Sequence, residues 1–133
     1  RVVSVPTPSE TTLATGLRVL VVPRPGSGLV SMALVTQAGS TYDRGAGGTA
    51  QAVAELLAKG TKTRTATQIA DAVEQIGASL GASASYDSAT VSLSVLKSRL
   101  ADAVPIFADV VQNPVFPAAE VSRYRTQTAD DLS

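Results

Sequence analysis

The chain has 133 residues, which is enough for one domain with a buried core. Its 11 basic and 11 acidic side chains cancel and are interspersed, so a phosphate-neutralising patch for nucleic-acid binding is not expected. The chain contains neither cysteine nor histidine, which excludes disulfides, thiolate nucleophiles and any mechanism that needs an imidazole from this chain. No apolar run approaches the ~20 residues that span a bilayer, so a membrane partner is not expected either.

The first quarter of the chain predicts an arm followed by strands. Residues 1–10 are rich in proline and polar side chains, which is typical of an extended arm or linker. Two apolar segments then flank Thr15 and Gly16, and this pattern predicts a tight turn between paired strands. The second apolar segment, residues 17–22, is short and rich in β-branched side chains, as expected for a strand.

The next three segments predict a strand, a loop and a helix. Residues 29–38 alternate between apolar and other side chains, which predicts a strand with one buried face. Residues 39–48 are rich in glycine and small side chains and predict a loop. The alanine and leucine content of residues 49–58 favours a helix.

A second helix is predicted from its own start and stop signals. Thr65 and Gln68 have the spacing of a capping box, in which each side chain bonds the backbone of the other residue. Apolar residues recur behind them at helical spacing, and Gly77 is a favourable residue just past a helix end.

The last part of the chain predicts two strands and two helices. Residues 90–95 alternate with period two, and residues 86–88 predict the turn before them. Ser98 is predicted to open a helix that ends at residues 113–114, Asn-Pro, and Pro117 suits the first position of a final helix. The order of elements predicts a two-layer α+β fold, with helices packed on one face of a mostly antiparallel sheet.

Residues 48–61, GTAQAVAELLAKGT, carry the most informative pattern. They resemble the active-site helix of the pitrilysin/insulinase-type zinc peptidases, the inverted zincins of peptidase family M16, in which the pattern is Gly-Leu-Ala-His-x-x-Glu-His-x-x-x-Lys-Gly-Thr. Further segments resemble that family in the same order along the chain: residues 13–19, 35–40, 76–79 and 113–116. The resemblance implies the same two-layer fold.

The resemblance also implies that the catalytic residues of the family are absent. Its first histidine ligand falls at Gln51, its catalytic glutamate at Ala54 and its second histidine at Glu55. Ligands four residues apart face the same side of a helix and reach one ion, and the glutamate would take a proton from the metal-bound water. Since Ala54 has no group that accepts a proton, the resemblance predicts a domain without catalytic residues.

The remaining ligand of the family, a glutamate, falls at or near Asp131, and its auxiliary acidic residue falls at Tyr124. No metal and no other cofactor is expected. The alternative is a site for a hard cation made by the oxygens of Gln51, Glu55 and Asp131, set against a plain polar pair on an exposed helix face. The Lys-Gly-Thr of residues 59–61 is interpreted as a helix end with a basic residue and a glycine cap.

One functional feature is expected to survive the loss of these residues. Active members of the family bind substrate as an added strand, and the corresponding segment here comprises Leu80, Gly81, Ala82, Ser83 and Ala84, with Ser85 next. Main-chain pairing requires little of the side chains. The alternative is an ordinary strand that is exposed or covered by a partner.

The resemblance leads to one functional hypothesis and two alternatives. The hypothesis is a non-catalytic domain that pairs with a catalytic domain or subunit of the same family, and so helps to enclose and bind peptide substrate. One alternative is a zinc metallopeptidase with an unusual or shared site. The other is a purely structural or interaction domain without peptide contact.

Family domains are larger than this chain, so residues 11–133 are expected to be the N-terminal part of a larger inactive domain. Apolar surface that normally meets the remainder would then be exposed, and we expect self-association. The absence of cysteine is compatible with a bacterial periplasm or envelope, but no motif assigns a compartment.

Overall fold

The computed structural model describes residues 5–45 and 47–131. It contains five strands and four α-helices within that part of the chain. In chain order they are β1 Ser9–Thr12, β2 Arg18–Val21, β3 Leu29–Thr36, α1 Thr49–Leu56, α2 Ala66–Gln75, β4 Ser79–Ala84, β5 Ala89–Leu96, α3 Leu100–Gln112 and α4 Ala118–Asp131. Short 3-10 turns lie at Ser40–Tyr42 and Lys97–Arg99.

The strands form two antiparallel sheets. The hairpin of β1 and β2 is one sheet, with Thr12 opposite Arg18 next to the turn. The other sheet has the order β3-β5-β4, so β5 is central and pairs with β3 from Leu29–Leu96 to Thr36–Ala89. The sheet is antiparallel throughout, as the sequence predicts.

The alternation of β5 shows how the helices and the sheet fit together. Val91, Leu93 and Val95 are buried, whereas Ser92 and Ser94 on the opposite face are exposed. Helix α3 packs on β5, α2 packs on α3 and β4, and α1 packs on β4 and β5. The period-two pattern of side chains therefore places all three of these apolar residues of β5 under the helices, as in an α+β fold with one covered face.

The core consists of two adjoining groups of apolar side chains. Ile69 of α2 packs with Ile106 and Val110 of α3. Leu93 and Val95 of β5, both 1% exposed, pack with Ala103 of α3. Partly buried Ile76 and Leu80 contact both groups, so the end of α2 and the start of β4 join them.

Most predicted elements are present, with shifted ends. The turn at Thr15 and Gly16 and the turn at residues 86–88 both connect antiparallel strands, as predicted. The capping box of α2 is confirmed, since Thr65 Oγ1 accepts from the Gln68 amide and Gln68 Oε1 accepts from the Thr65 amide.

The start of the first strand differs from the sequence-based expectation. Strand β1 begins at Ser9, inside the segment expected to be an arm, and residues 1–4 of that segment lie outside the described part of the chain.

In residues 5–45 and 47–131, no helix has the combination of length and apolar character needed to cross a membrane.

Candidate functional site

Helix α1 carries the positions at which the sequence predicts a lost metal site. It has eight residues, of which Ala54 and Leu56 are buried. It packs against β4, β5 and α4. The helix therefore lies between the three-stranded sheet and the last helix, which is where a ligand from α4 would have to meet ligands from α1.

Gln51 and Glu55 are one turn apart on the exposed side of α1, as the spacing predicts. Gln51 Nε2 donates a hydrogen bond of 2.8 Å to Glu55 Oε1. An amide and a carboxylate that bond each other do not fit zinc sites of the kind in which two imidazole nitrogens bind the ion. Over the described ranges, no three or more acidic side chains group into a possible metal site.

Ala54 is 6% exposed. It lines a cavity of about 340 Å³ between α1 and the covered face of the sheet. The lining is mainly aliphatic and includes Leu34, Val53, Leu57, Ala82 and Val91. At the position predicted for the catalytic glutamate, the chain thus has a methyl group among apolar neighbours, which cannot accept a proton.

Helix α4 carries the other two positions predicted from the resemblance. Asp131 is its last residue and is exposed, and Tyr124, two turns earlier, is half-buried. Helix α4 contacts α1. The fold therefore brings the two helices together. Of the predicted positions, Gln51 and Glu55 on α1 are hydrogen-bonded to each other.

The predicted substrate-binding segment is strand β4. It contains the five residues predicted to bind substrate: Leu80, Gly81, Ala82, Ser83 and Ala84. Strand β4 is at an edge of the sheet and, among the described residues, pairs with β5 alone. Its other edge faces away from β5, and α1 contacts the strand. Substrate binding by these residues stays a prediction.

The interpretation of Gly60 as a helix cap is wrong. Helix α1 ends at Leu56, and Gly60 forms a β-bridge with Thr65. Its φ is +154°, and a Cβ there would lie 2.8 Å from Pro117 Cγ. The chain needs glycine at this position for an extended, close contact with the segment before α4, a requirement that comes from a residue 57 positions away.

A buried carboxylate for which the sequence predicts no role lies next to this contact. Asp109 of α3 is 8% exposed. Its Oδ2 accepts hydrogen bonds from Thr61 Oγ1 at 2.6 Å, Thr63 Oγ1 at 2.9 Å and Arg64 Nη1 at 2.7 Å. Its Oδ1 accepts from Asn113 Nδ2 at 3.1 Å. We call these five residues the Asp109 cluster.

The hydrogen bonds of the Asp109 cluster stabilise the charged carboxylate. The bond from Thr61 is the largest cause, and together with those from Thr63, Asn113 and Arg64 it lowers the pKa of Asp109 from 3.8 to about 2, against the opposing effect of burial. The signal in the sequence that could have pointed to Asp109 is an acidic residue among the apolar residues on the buried side of α3.

A second carboxylate without a sequence-predicted role holds the start of α1. Asp43 Oδ2 accepts from the Gly48 amide at 3.0 Å, and Asp43 Oδ1 accepts from the Ala50 amide at 2.9 Å. Gly48, the residue at the helix boundary, has a left-handed backbone and no side chain that could cap. A carboxylate a few residues before a glycine-led helix was the signal that could have been used.

The comparisons with known proteins decide the family. The model of the insulinase family, peptidase family M16, matches residues 18–133. The chain belongs to peptidase family M16. The M16 relatives include an uncharacterized zinc protease of Rickettsia bellii, 34% identical over 112 residues, which are 84% of this chain and 27% of that protein.

The same family relationship appears in a eukaryotic relative and in a solved structure. The human mitochondrial-processing peptidase subunit beta is 34% identical over 127 residues, which cover 93% of this chain and 25% of that protein. The crystal structure of a peptidase M16 inactive domain from Pseudomonas fluorescens superposes with a TM-score of 0.86 at 31% identity, over 90% of this chain and 30% of that chain. This chain thus spans about a quarter of the length of the curated M16 relatives.

Proposed function

We propose that this chain is a non-catalytic M16 domain that holds extended peptide and works together with a catalytic domain or subunit of the same family. The observation that carries the proposal is the combination of a buried alanine at the position of the catalytic glutamate with an edge strand beside the same helix. The first feature removes the hydrolytic step, and the second leaves a surface for peptide.

The absence of cleavage is expected from the donors that α1 offers. Proton transfer from an attacking water needs a base within hydrogen-bond reach, and the methyl group of Ala54 cannot act as one. Gln51 and Glu55 supply an amide and a carboxylate in place of two imidazoles, and they are hydrogen-bonded to each other. We therefore expect no peptide hydrolysis by the chain alone, with or without zinc.

Peptide binding is supported by the position and composition of β4. The main-chain groups on its edge away from β5 are available for pairing, and strand addition takes its affinity from such groups rather than from particular side chains. Gly81, Ala82, Ser83 and Ala84 are small, so an incoming backbone meets little steric hindrance.

The proposed partner is a catalytic M16 domain or subunit. The chain matches about a quarter of each of these curated relatives, and one of them is a beta subunit of a processing peptidase. The solved relative from Pseudomonas fluorescens is itself an inactive domain. A domain that binds peptide without cutting it contributes to proteolysis only when a second domain supplies the metal and the base.

The test measures binding and cleavage in one titration. A fluorescently labelled unstructured peptide is titrated into the chain with zinc and with chelator, and cleavage is followed by mass spectrometry. We expect saturable binding that is independent of zinc, and no product. Zinc-dependent cleavage that is lost in Glu55→Ala or Asp131→Ala would overturn the proposal and assign a rebuilt metal site.

A matched set of ligands tests the binding mode. Peptides of identical sequence are N-methylated either at the odd or at the even residues, which removes the amide donors facing one side of an extended strand. We expect one set to abolish binding and the other to retain it, because only one side of an added strand pairs with β4. Equal binding of both sets would contradict strand addition.

A further inference from the structure

The loop before α1 is hydrogen-bonded to the turn that comes after β4. The Ser40 amide donates to the Ser85 carbonyl at 3.0 Å, and the Thr41 amide donates to the Tyr86 carbonyl at 2.8 Å. The hydroxyl of Thr41 donates to the same Tyr86 carbonyl at 2.6 Å. Three bonds therefore join the end of the edge strand to the segment that leads into α1.

The two segments are in direct backbone contact. A Cβ at Gly39 would lie 2.4 Å from the Ser88 amide nitrogen and 2.5 Å from the Asp87 amide nitrogen, distances that side chains do not reach. Gly39 is buried in this contact. The loop and the turn thus form one unit, because contacts between their main-chain atoms fix the position of one relative to the other.

Asp43 extends this unit to the helix. It lies two residues after Thr41, and its two carboxylate oxygens accept from the amides of Gly48 and Ala50 at 3.0 and 2.9 Å. The first turn of α1 contains no acidic residue, and Gly48 offers no capping side chain. Asp43 is thus both a cap and a negative charge at the positive end of the α1 dipole.

Helix α1 depends on such support because it is short. Eight residues are fewer than the ~12 that an isolated helix needs for marginal stability in water. Only Ala54 and Leu56 of this helix are buried, and Ala54 adjoins a cavity rather than a filled core. The hydrogen bonds at the start of the helix therefore contribute to its orientation alongside its packing on β4, β5 and α4.

We propose that Asp43 is a positioning residue that couples strand β4 to helix α1, acting together with Thr41. Peptide added to β4 then orders α1 as well, through the turn after β4, the Thr41 hydrogen bonds and the Asp43 carboxylate. The coupling rests on the proposed function, since it is a consequence of peptide pairing with β4. Asp43 touches no substrate in this scheme.

The experiment compares four variants with the unaltered chain. Asp43→Ala removes the cap, Asp43→Asn keeps a cap of comparable strength without the charge, and Thr41→Val removes one hydroxyl at nearly constant shape. Asp71→Ala, an exposed position on α2, is the matched control for an aspartate-to-alanine change. Each chain is titrated with the labelled unstructured peptide, and amide hydrogen exchange of β4 and α1 is measured with and without it.

In the unaltered chain and in Asp71→Ala we expect peptide to slow exchange in both β4 and α1. In Asp43→Ala we expect peptide to protect β4 but no longer α1, with affinity reduced about three- to tenfold, the size of one lost helix cap. Thr41→Val removes one of the three bonds between the loop and the turn and keeps both main-chain bonds, so we expect a smaller loss of α1 protection in the same direction. Asp43→Asn should restore most of the affinity and the protection of α1. A merely structural role would lower protection of α1 in the free chain without changing how it responds to peptide.

The outcomes separate the coupling from the function on which it rests. If the unaltered chain binds no peptide, both the proposed function and the coupling are overturned. If it binds peptide and Asp43→Ala and Thr41→Val respond as it does, the coupling alone is overturned. If Asp43→Ala does not fold, Thr41→Val carries the comparison with the unaltered chain, because it keeps the Asp43 carboxylate and is expected to weaken the response of α1 to peptide.

Discussion

Two polar groups of residues in this domain have opposite environments. Gln51 and Glu55 stand on the exposed side of α1 and share one hydrogen bond of 2.8 Å. The Asp109 cluster is built around a carboxylate that is 8% exposed and accepts four hydrogen bonds, from Thr61, Thr63, Arg64 and Asn113. The pair lies at the positions where the resemblance predicts metal ligands, whereas the cluster holds segments of the fold together.

The difference between the two groups shows which parts of a peptidase pattern are architectural. Of the Lys-Gly-Thr segment, Gly60 packs against the start of α4, and Thr61 bonds Asp109 and bridges Pro114. Of the Asn-Pro segment, Asn113 bonds Asp109 and its carbonyl accepts from the Lys62 amide at 3.0 Å. These contacts hold segments of the fold together and involve neither Gln51 nor Glu55.

The largest expected effect is at the buried carboxylate. Asp109→Ala leaves several donors without their acceptor and Arg64 without its counter-ion, and we expect the free energy of unfolding to fall by about 3 kcal/mol. Urea denaturation followed by circular dichroism measures it. Asp102→Ala on the same helix is the control, because Asp102 is exposed and pairs with Arg99 at 3.4 Å. We expect a change below about 1 kcal/mol there, and equal effects at the two positions would mean that the buried carboxylate has no special role in the fold.

The next largest effect concerns the loop that leads into α1. Gly39→Ala places a Cβ against main-chain nitrogens at 2.4 and 2.5 Å, so the backbone must move, at a cost of about 1–3 kcal/mol. Gly47→Ala lies in the same loop and meets no atom within 4 Å. Thermal unfolding of both variants should show a lower midpoint for Gly39→Ala only. A similar midpoint for the two variants would mean that the loop accommodates a methyl group at position 39 without loss of stability.

The pH dependence of stability sharpens the contrast further. The pKa of Asp109 is about 2 in the folded chain and 3.8 when unperturbed. A depressed pKa in the folded state gives stability that is complete above the unfolded value and is lost as the pH falls through the folded value. The stability difference between the unaltered chain and Asp109→Ala should therefore be constant from pH 7 to about 5 and shrink between about 4 and 2. Urea midpoints of both chains at each pH measure it, and a constant difference down to about pH 2 would contradict the role of the charged form.

The smallest effect is expected at the exposed pair. Gln51→Ala and Glu55→Ala each remove one hydrogen bond between side chains four residues apart, which is worth below about 0.5 kcal/mol. Calorimetric titration of the unaltered chain with zinc should show no saturable heat, and both variants should behave alike. A zinc signal that Glu55→Ala abolishes would show that the pair still binds metal.

Local pattern predicted most of the architecture because the relevant physics acts over a few residues. The capping box of Thr65 and Gln68, the period-two strand β5 and the turn at residues 86–88 each arise from interactions within four positions or from the alternation of one strand. The alanine and leucine content of residues 49–58 predicted the helix that carries Gln51, Ala54 and Glu55, and the structure confirms a helix there.

Non-local contacts could not be predicted in this way. Gly60 was misinterpreted because its constraint comes from Pro117, and Asp109 was missed because its partners Thr61, Thr63 and Arg64 lie 45 to 48 residues earlier. A buried carboxylate needs hydrogen-bond donors around it, and the sequence does not indicate which distant residues supply them.

The sequence by itself determined the order of the elements and the resemblance to the family, and it predicts the loss of the catalytic side chains, since residue types and their spacing along one helix carry that information. Only the tertiary structure decided that β4 is an edge strand beside α1, that Asp109 is paired with residues near the end of α1, and that Asp43 supports its start. Each of these depends on which distant segments pack together, and the free energy of that packing is not contained in any local stretch of the chain.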